Sequence, residues 1–523
     1  MPRQRLCAIR LATALAVAGS AGVAGCHDAN APNGPPASMV VLRQDAQTDT
    51  VVGAPAIMIL RIFDGSGRPA ARTSIEFSGA IRQRDGFSIV ALYTAPDTAR
   101  PTAQRAQITS ALTDRDGRVA VAVSRGPFTG ALALGVSSSA IPRLRDSVIF
   151  VTTPGALAAV HVFPADSATT VGGGYALGAT AVDSWGNARS DAVTYSIGVQ
   201  RAVGPRVNPA SPVAALDGQT IRGLQTGRVR IDASTGAKVG SGWVSVVPMA
   251  RLAAIESPLA GGGSPALVLV NTDGAAIRRF VLNMYSEGHP RWIPGRGRVV
   301  LESVPVNGQD PSVQPRLTYV DTLTGARSEV AGPLAGIDGQ YRPGVDVRGD
   351  MIYFAGVTPV PQMQAGVSIY RVGTDGSGVV RIGPAVDPYT NFGQPDVSPD
   401  GSSLAVRRNG LLTRMDVASG ALTRLGARGE ANEPRWSPDG RRIAFRDQSA
   451  YWIIDADGTN ERVLTDTNTV GDYFPGHGAL DWSPVGEWLL IRANGWLQLL
   501  DPVSGEALPI PGTSRLVAAA WAR

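Results

Sequence analysis

Cysteine is almost absent: Cys7 and Cys26 are the only two in 523 residues. Cys7 lies in an apolar leader, so the exported chain is expected to keep a single thiol, which leaves no disulfide, no Cys-ligated zinc and no catalytic cysteine. Histidine is also scarce, with His27, His161, His289 and His477 as the full set, which argues against a His-based metal centre. Lys238 is the only lysine, and the remaining basic residues are arginines. The formal charge of +5 falls to about +2 once Arg3, Arg5 and Arg10 leave with the leader, too small for a nucleic-acid footprint. Beyond the leader no apolar run approaches the ~20 residues of a spanning helix. The G-x-S-x-G, HExxH, Walker and dinucleotide-binding glycine motifs are all missing, so no chemistry that depends on them is expected. What is abundant is turn chemistry, with 62 Gly and 38 Pro. Frequent Val and Thr between those turns predict an all-β chain, and its length predicts several domains.

The leader, residues 1–25, carries three arginines before an Ala/Leu/Val-rich stretch too short to span a membrane comfortably. It ends in Val23-Ala24-Gly25-Cys26, which resembles the lipobox of bacterial lipoproteins. The resemblance implies cleavage before Cys26, lipidation of that residue, and a protein anchored in the cell envelope at a membrane without crossing it. Residues 26–37 then read as the lipidated Cys and a Pro-rich tether.

Residues 38–154 alternate short apolar strands with Asp-Gly turns, a pattern of antiparallel sandwiches. Gly53, the turn Asp64-Gly65-Ser66-Gly67-Arg68-Pro69, Ile75, Phe77, Thr113-Asp114 and Gly117 resemble the bacterial Ig-like domains of intimin and invasin stalks. Residues 155–248 look like a second such domain, with Asp183-Ser184-Trp185-Gly186-Asn187 as its tight turn. Asp114, Asp116 and Asp183 have the residue type of calcium ligands, but Asp at loop ends also closes Asx turns, and that is the reading adopted. His161 reads as a strand residue, with no second His near it in sequence.

Residues 249–523 repeat a unit. Its clearest copy is NEPRWSPDGRRIAFRD (Asn432–Asp447), and anchors at Trp292, Val345, Val397, Trp436, Trp482 and Trp521 recur every 39 to 53 residues. That period belongs to four-stranded propeller blades. SPDGRRIAF with IIDADGTNERVLT resembles the propeller repeats of TolB and of the related dipeptidyl-peptidase propellers. The last segment, LVAAAWAR, has an anchor without following strands, and the first has three strands without an anchor. The C-terminal strand is therefore predicted to complete the first of six blades, since an open ring would leave two unpaired edges. Asp455, Asp457 and Asn460 superficially open like an EF-hand loop, but as part of a blade they predict a hairpin turn.

Function is expected on the face carrying the longer loops, 303–315, 332–342, 356–366, 383–394 and 465–479, with SPDG and DADG turns on the other. Asp472, Tyr473, Phe474 and His477, with Tyr341, Tyr389 and Phe392 in neighbouring loops, are candidates for an exposed aromatic-polar surface; the alternative is that these rings pack onto the blades. Asp346, Asp396, Glu433 and Asp481 flank the innermost strands and are candidates to face the channel, where propeller glycosidases arrange carboxylates. The first expectation is a monomeric, non-enzymatic envelope protein without cofactor, its Ig-like modules raising a propeller that binds an envelope protein or glycan. TolB carries a different N-terminal domain, so its partners do not transfer. The alternative is a carbohydrate-active or other hydrolytic propeller using channel carboxylates.

Overall fold

The computed structural model describes residues 36–44, 48–50, 56–80, 90–94, 109–138, 141–257, 264–282, 288–304, 314–332, 334–359, 366–384, 389–465 and 479–523. Among them there are strands and turns but no helix. The chain divides into two compact units between Ala156 and Leu157.

The first unit is a sandwich. One sheet joins Pro36–Gln44, Ala56–Asp64, Arg118–Arg125 and Val90–Thr94; the other joins Thr48–Thr50, Ile141–Thr153, Gly130–Ser138, Ser74–Ala80 and Ser110–Leu112. Period-two alternation sends Met58, Leu60 and Ile62 inward, where they meet Ile75, Phe77, Val121, Leu134 and Phe150. Asp64 closes its turn by accepting hydrogen bonds from the backbone N–H groups of Ser66 and Arg68, and Asp114 does the same for Asp116 and Arg118. Gly117 is obligatory: its φ is +69°, and a Cβ there would lie 2.5 Å from the Ile62 carbonyl.

The second unit opens with another sandwich, built on Asp166–Thr170, Lys238–Val247, Gly227–Thr235 and Thr194–Ala202. Ile221, Val229, Ile231, Val244 and Val246 form its core. Asp183 accepts from the N–H groups of Trp185 and Asn187 and from the Asn187 side chain, and His161 is an exposed strand residue.

Six four-stranded antiparallel sheets follow, numbered here as blades 1 to 6. Their innermost strands are Leu516–Trp521, Arg291–Ile293, Gly339–Val345, Phe392–Val397, Asn432–Trp436 and Asp481–Trp482. Closure occurs as expected: Leu516–Trp521 pairs with Arg251–Glu256, Trp521 opposite Leu252 and Ala520 opposite Ala253. The SPDG motif forms the turn between first and second strands in blades 4 and 5, and SPVG does so in blade 6. Ser437 Oγ accepts from the Arg442 N–H and donates to Asp439, while Gly440 supplies a φ of +69°. Neighbouring turns stack, Gly440 on Pro399 and Gly486 on Pro438. The Asp455 to Asn460 segment is the hairpin turn expected, with Asp457 accepting from the Thr459 N–H and Gly458 at a φ of +93°.

The second sandwich is fused to the turn face of this ring. Val203 and Val247 join the core formed by Leu252, Trp488, Leu499 and Trp521. Gly204 sits so close to Trp488 that a Cβ would lie 2.6 Å from the indole. Ion pairs Arg201–Glu506 and Arg206–Glu487 flank the contact. Glu487, Trp488 and Glu506 all belong to turns of blade 6, so this sandwich occupies the face opposite the long loops.

Candidate functional site: the propeller channel

Each innermost strand runs from the loop face to the turn face. The residue three before the anchor therefore lies nearer the loops, and the residue just before the anchor nearer the turns. These two positions build two tiers of polar side chains around the channel.

The tier near the turns is a buried ionic cluster, in which Arg291 Nε and Nη2 make no hydrogen bond among the described residues. Arg291 of blade 2 reaches Asp481 of blade 6, Nη1 to Oδ1 at 3.1 Å, and approaches Asp396 of blade 4, Nη2 to Oδ1 at 3.8 Å. A side chain that meets two non-adjacent blades can do so only across the channel. Arg523 adds a second cation, 3.0 Å from Asp481 Oδ1. The other oxygens hold backbone: Asp396 Oδ2 accepts the Trp436 N–H at 2.8 Å, and Asp481 Oδ2 accepts the Trp521 N–H at 2.9 Å. Each carboxylate thus clamps the innermost strand of the blade that follows it in the ring. Arg435 turns aside to the Leu480 and Pro434 carbonyls. Burial pushes the Asp396 carboxyl up to about 6, against the opposing pull of Arg291 and the Trp436 N–H. Only a small cleft, of about 10 Å³, adjoins this cluster, lined by Arg291, Asp396, Asp481, Trp521 and Arg523 among others.

The tier near the loops holds His289, Arg342, Gln394 and Glu433 from blades 2 to 5. Each precedes a proline, and three of them, Arg342, Gln394 and Glu433, sit at φ of +51°, +55° and +53°. Register shifts mark a bulge at each of these three sites. Non-glycine residues in this region cost about 1–3 kcal/mol each, and bulges of this kind re-aim side chains. Here again side chain bonds link blade to blade: the Glu433 N–H donates to Gln394 Oε1 at 2.7 Å, and the Arg342 N–H to Glu302 Oε2 at 3.0 Å. Arg446 Nε and Nη2 both donate to Glu433 Oε1, at 3.0 and 2.8 Å. Burial would raise the Glu433 carboxyl, but Arg446, with His289 and Arg342, outweighs it and holds the group below the usual range. Blades 2 and 5 are opposite one another in a six-membered ring, so His289 can act on Glu433 only across the axis.

Of the residues singled out in the sequence, Asp396, Glu433 and Asp481 do line the channel. Asp346 does not: it is the first residue of a hairpin turn, where Oδ1 accepts from the Asp350 and Met351 N–H groups. Its blade has Val345 at the anchor and Gly344 before it, which puts the carboxylate one step past the channel. Phe392 is corrected too. It is buried in the core between blades 3 and 4, with Arg408 over its ring, and is not presented to solvent. Tyr341 is half-buried and donates its hydroxyl to Gln314 at 2.8 Å. Tyr389 is 82% exposed on the loop face. Cys26, Asp472, Tyr473, Phe474 and His477 lie outside the described residues. Sequence reasoning missed His289, Arg291, Arg342 and Gln394, because only carboxylates were sought. The available signal for His289, Arg342 and Gln394 was their place before a repeated proline, and for Arg291 its place just before the anchor.

No family model matches the chain, and no curated protein matches it. Solved structures that resemble it include an oligogalacturonate lyase in complex with manganese (13% identity, covering 50% of this chain and 72% of that one, TM-score 0.30). The oligogalacturonate lyase of Vibrio parahaemolyticus is 10% identical over 61% of this chain and 86% of its own, with a TM-score of 0.32. The Escherichia coli adhesin FdeC is 16% identical over 55% and 98%, with a TM-score of 0.27. Likenesses this distant concern fold alone.

Proposed function

We propose that the protein is a non-enzymatic binding module of the cell envelope, anchored by lipid on Cys26, with Ig-like modules as a stalk and the loop face of the propeller engaging a protein or glycan. The observation that carries this reading is the engagement of Asp396 and Asp481. Each has one oxygen on a backbone N–H of the next blade and the other facing Arg291. A general acid or base needs a proton path to substrate, whereas these groups hold blades together. The sandwich fused to the turn face supports the same reading, since it leaves the loop face as the side available to a partner. The test is capture of envelope components by residues 27–523, in parallel with a turnover screen on glycans and peptides. Saturable capture without turnover supports a binder.

One observation favours the second reading, a hydrolase. Asp396, pushed up to about 6 by burial, shares Arg291 with a second channel carboxyl, Asp481. Turnover that disappears in both D396N and D481N, with the fold intact, would decide for it.

A further inference from the structure

The loop-side tier contains buried polar atoms that the fold leaves without partners. Neither ring nitrogen of His289 makes a hydrogen bond among the described residues, although the residue is only 5% exposed; Glu302 Oε2, at 3.7 Å from Nδ1, is too far. Glu433 is fully buried, and while Arg446 binds Oε1 twice, Oε2 has no donor. The guanidinium of Arg342 has no ion pair or hydrogen bond among the described residues. The buried atoms of His289 and Glu433 left this way lose on the order of 1–3 kcal/mol each in desolvation, Arg342 is half-exposed, and three successive blades carry left-handed backbone at the same level. Stability is not served by either feature, and both occur where side chains from opposite blades converge.

Resting on the reading of the loop face as a binding surface, we propose that this tier is a recognition site for neutral saccharide hydroxyl groups. The argument is one of complementary chemistry. Glu433 Oε2 can only accept, the Arg342 guanidinium can only donate, and an imidazole N–H donates. A hydroxyl satisfies both kinds of group, since it donates to the carboxylate while accepting from the arginine or the imidazole. Among the described residues of this tier, Glu302 and Glu433 are matched in number by Arg342 and Arg446, so the ligand needs no net charge. The ring is also lopsided. Three residues before the anchor, blades 6 and 1 have Ala479 and Ala518 where blades 2 to 5 have long polar side chains. A polar arc facing a small apolar one suits a sugar, whose hydroxyl rim and C–H face differ in the same way.

The experiment uses residues 27–523, with calorimetric titration of neutral tetrasaccharides of glucose, mannose and N-acetylglucosamine, of an oligogalacturonate, and selection from an unbiased dodecapeptide library. The expected result is saturable binding of a neutral sugar, weakened at least tenfold in H289F and in R342A, with melting temperatures not lowered. These positions suit the test because neither side chain donates or accepts a hydrogen bond in the fold, so their replacement should leave folding intact. Binding only of the uronate or only of peptides, still lost in H289F, overturns the sugar class but keeps the loop face as the binding surface. Neutral-sugar binding that survives both substitutions overturns the site. Absence of binding by every probe overturns the proposal, and capture of an envelope protein by the same chain would then show that the broader reading stands without it.

Discussion

Replacing Asp481 by alanine tests whether the channel cluster closes the ring. The side chain is 2% exposed and does three things at once: it faces Arg291 at 3.1 Å, faces Arg523 at 3.0 Å, and accepts the N–H of Trp521 on the closing strand at 2.9 Å. Removing one partner of a buried ion pair costs about 3–5 kcal/mol, because the other charge stays buried. An orphaned buried N–H adds about 1–3 kcal/mol. Since both losses pass through one side chain they overlap, and a total of about 4–6 kcal/mol is expected. The assay is denaturant unfolding of the second unit, combined with hydrogen exchange at Leu516–Trp521. Those amides should lose protection before those of Asn432–Trp436. The double substitution D481A/R291M should recover part of the loss, because the unpaired cation goes with it. A loss below about 1 kcal/mol, with the closing strand still protected, would refute the reasoning, since the cluster would then behave as a solvent-screened surface pair.

Three further outcomes follow from the same geometry. Deleting residues 515–523 removes the innermost strand of blade 1 and should lower the melting temperature of the whole propeller; an unchanged melting temperature would contradict strand closure. Gly204→Val places a side chain into Trp488 at a φ of +126°, so a loss of about 2–4 kcal/mol is expected, together with increased proteolysis between residues 247 and 251, and a variant as stable as the parent would contradict the fused interface. Asp396 has a folded value of about 6 against an ordinary 3.8. The native state therefore holds a proton that the unfolded chain has released, and this group adds stability as pH falls from 7 through 6 toward 4, by about 2–3 kcal/mol. Glu433, held below its ordinary value, acts in the opposite sense and loses its contribution on further acidification. The stability difference between parent and D396N should therefore shift in the parent's favour between pH 7 and 4, and a difference that stays flat over that range would contradict a raised Asp396.

Blade number and strand closure were legible because they depend on local, repeated chemistry. The anchor positions from Trp292 to Trp521 recur at intervals of 39 to 53 residues, about the length of a blade, and the two incomplete terminal fragments each supply what the other lacks. The turn carboxylates Asp64, Asp114 and Asp183 were legible for the same reason, as an Asx turn is settled within five residues. Asp346 was misplaced because the blade that carries it has Val345 in place of tryptophan, and a shift of one position turns a channel residue into a turn residue. Phe392 looked like a loop aromatic, yet its strand begins at that residue and draws the ring into the core.

The amino-acid sequence by itself determined an all-β chain, two sandwiches, and a six-bladed ring closed by its own C-terminus, since periodicity, turn residues and edge pairing act over short stretches or repeat regularly. Only the tertiary structure decided which side chains share the channel. Arg291 meets Asp481 across 190 residues of chain, His289 acts on Glu433 from the opposite blade, and Trp488 meets Gly204 of the neighbouring sandwich. Such encounters depend on where a closed ring brings its innermost strands, and no local pattern in a sequence encodes a distance across an axis.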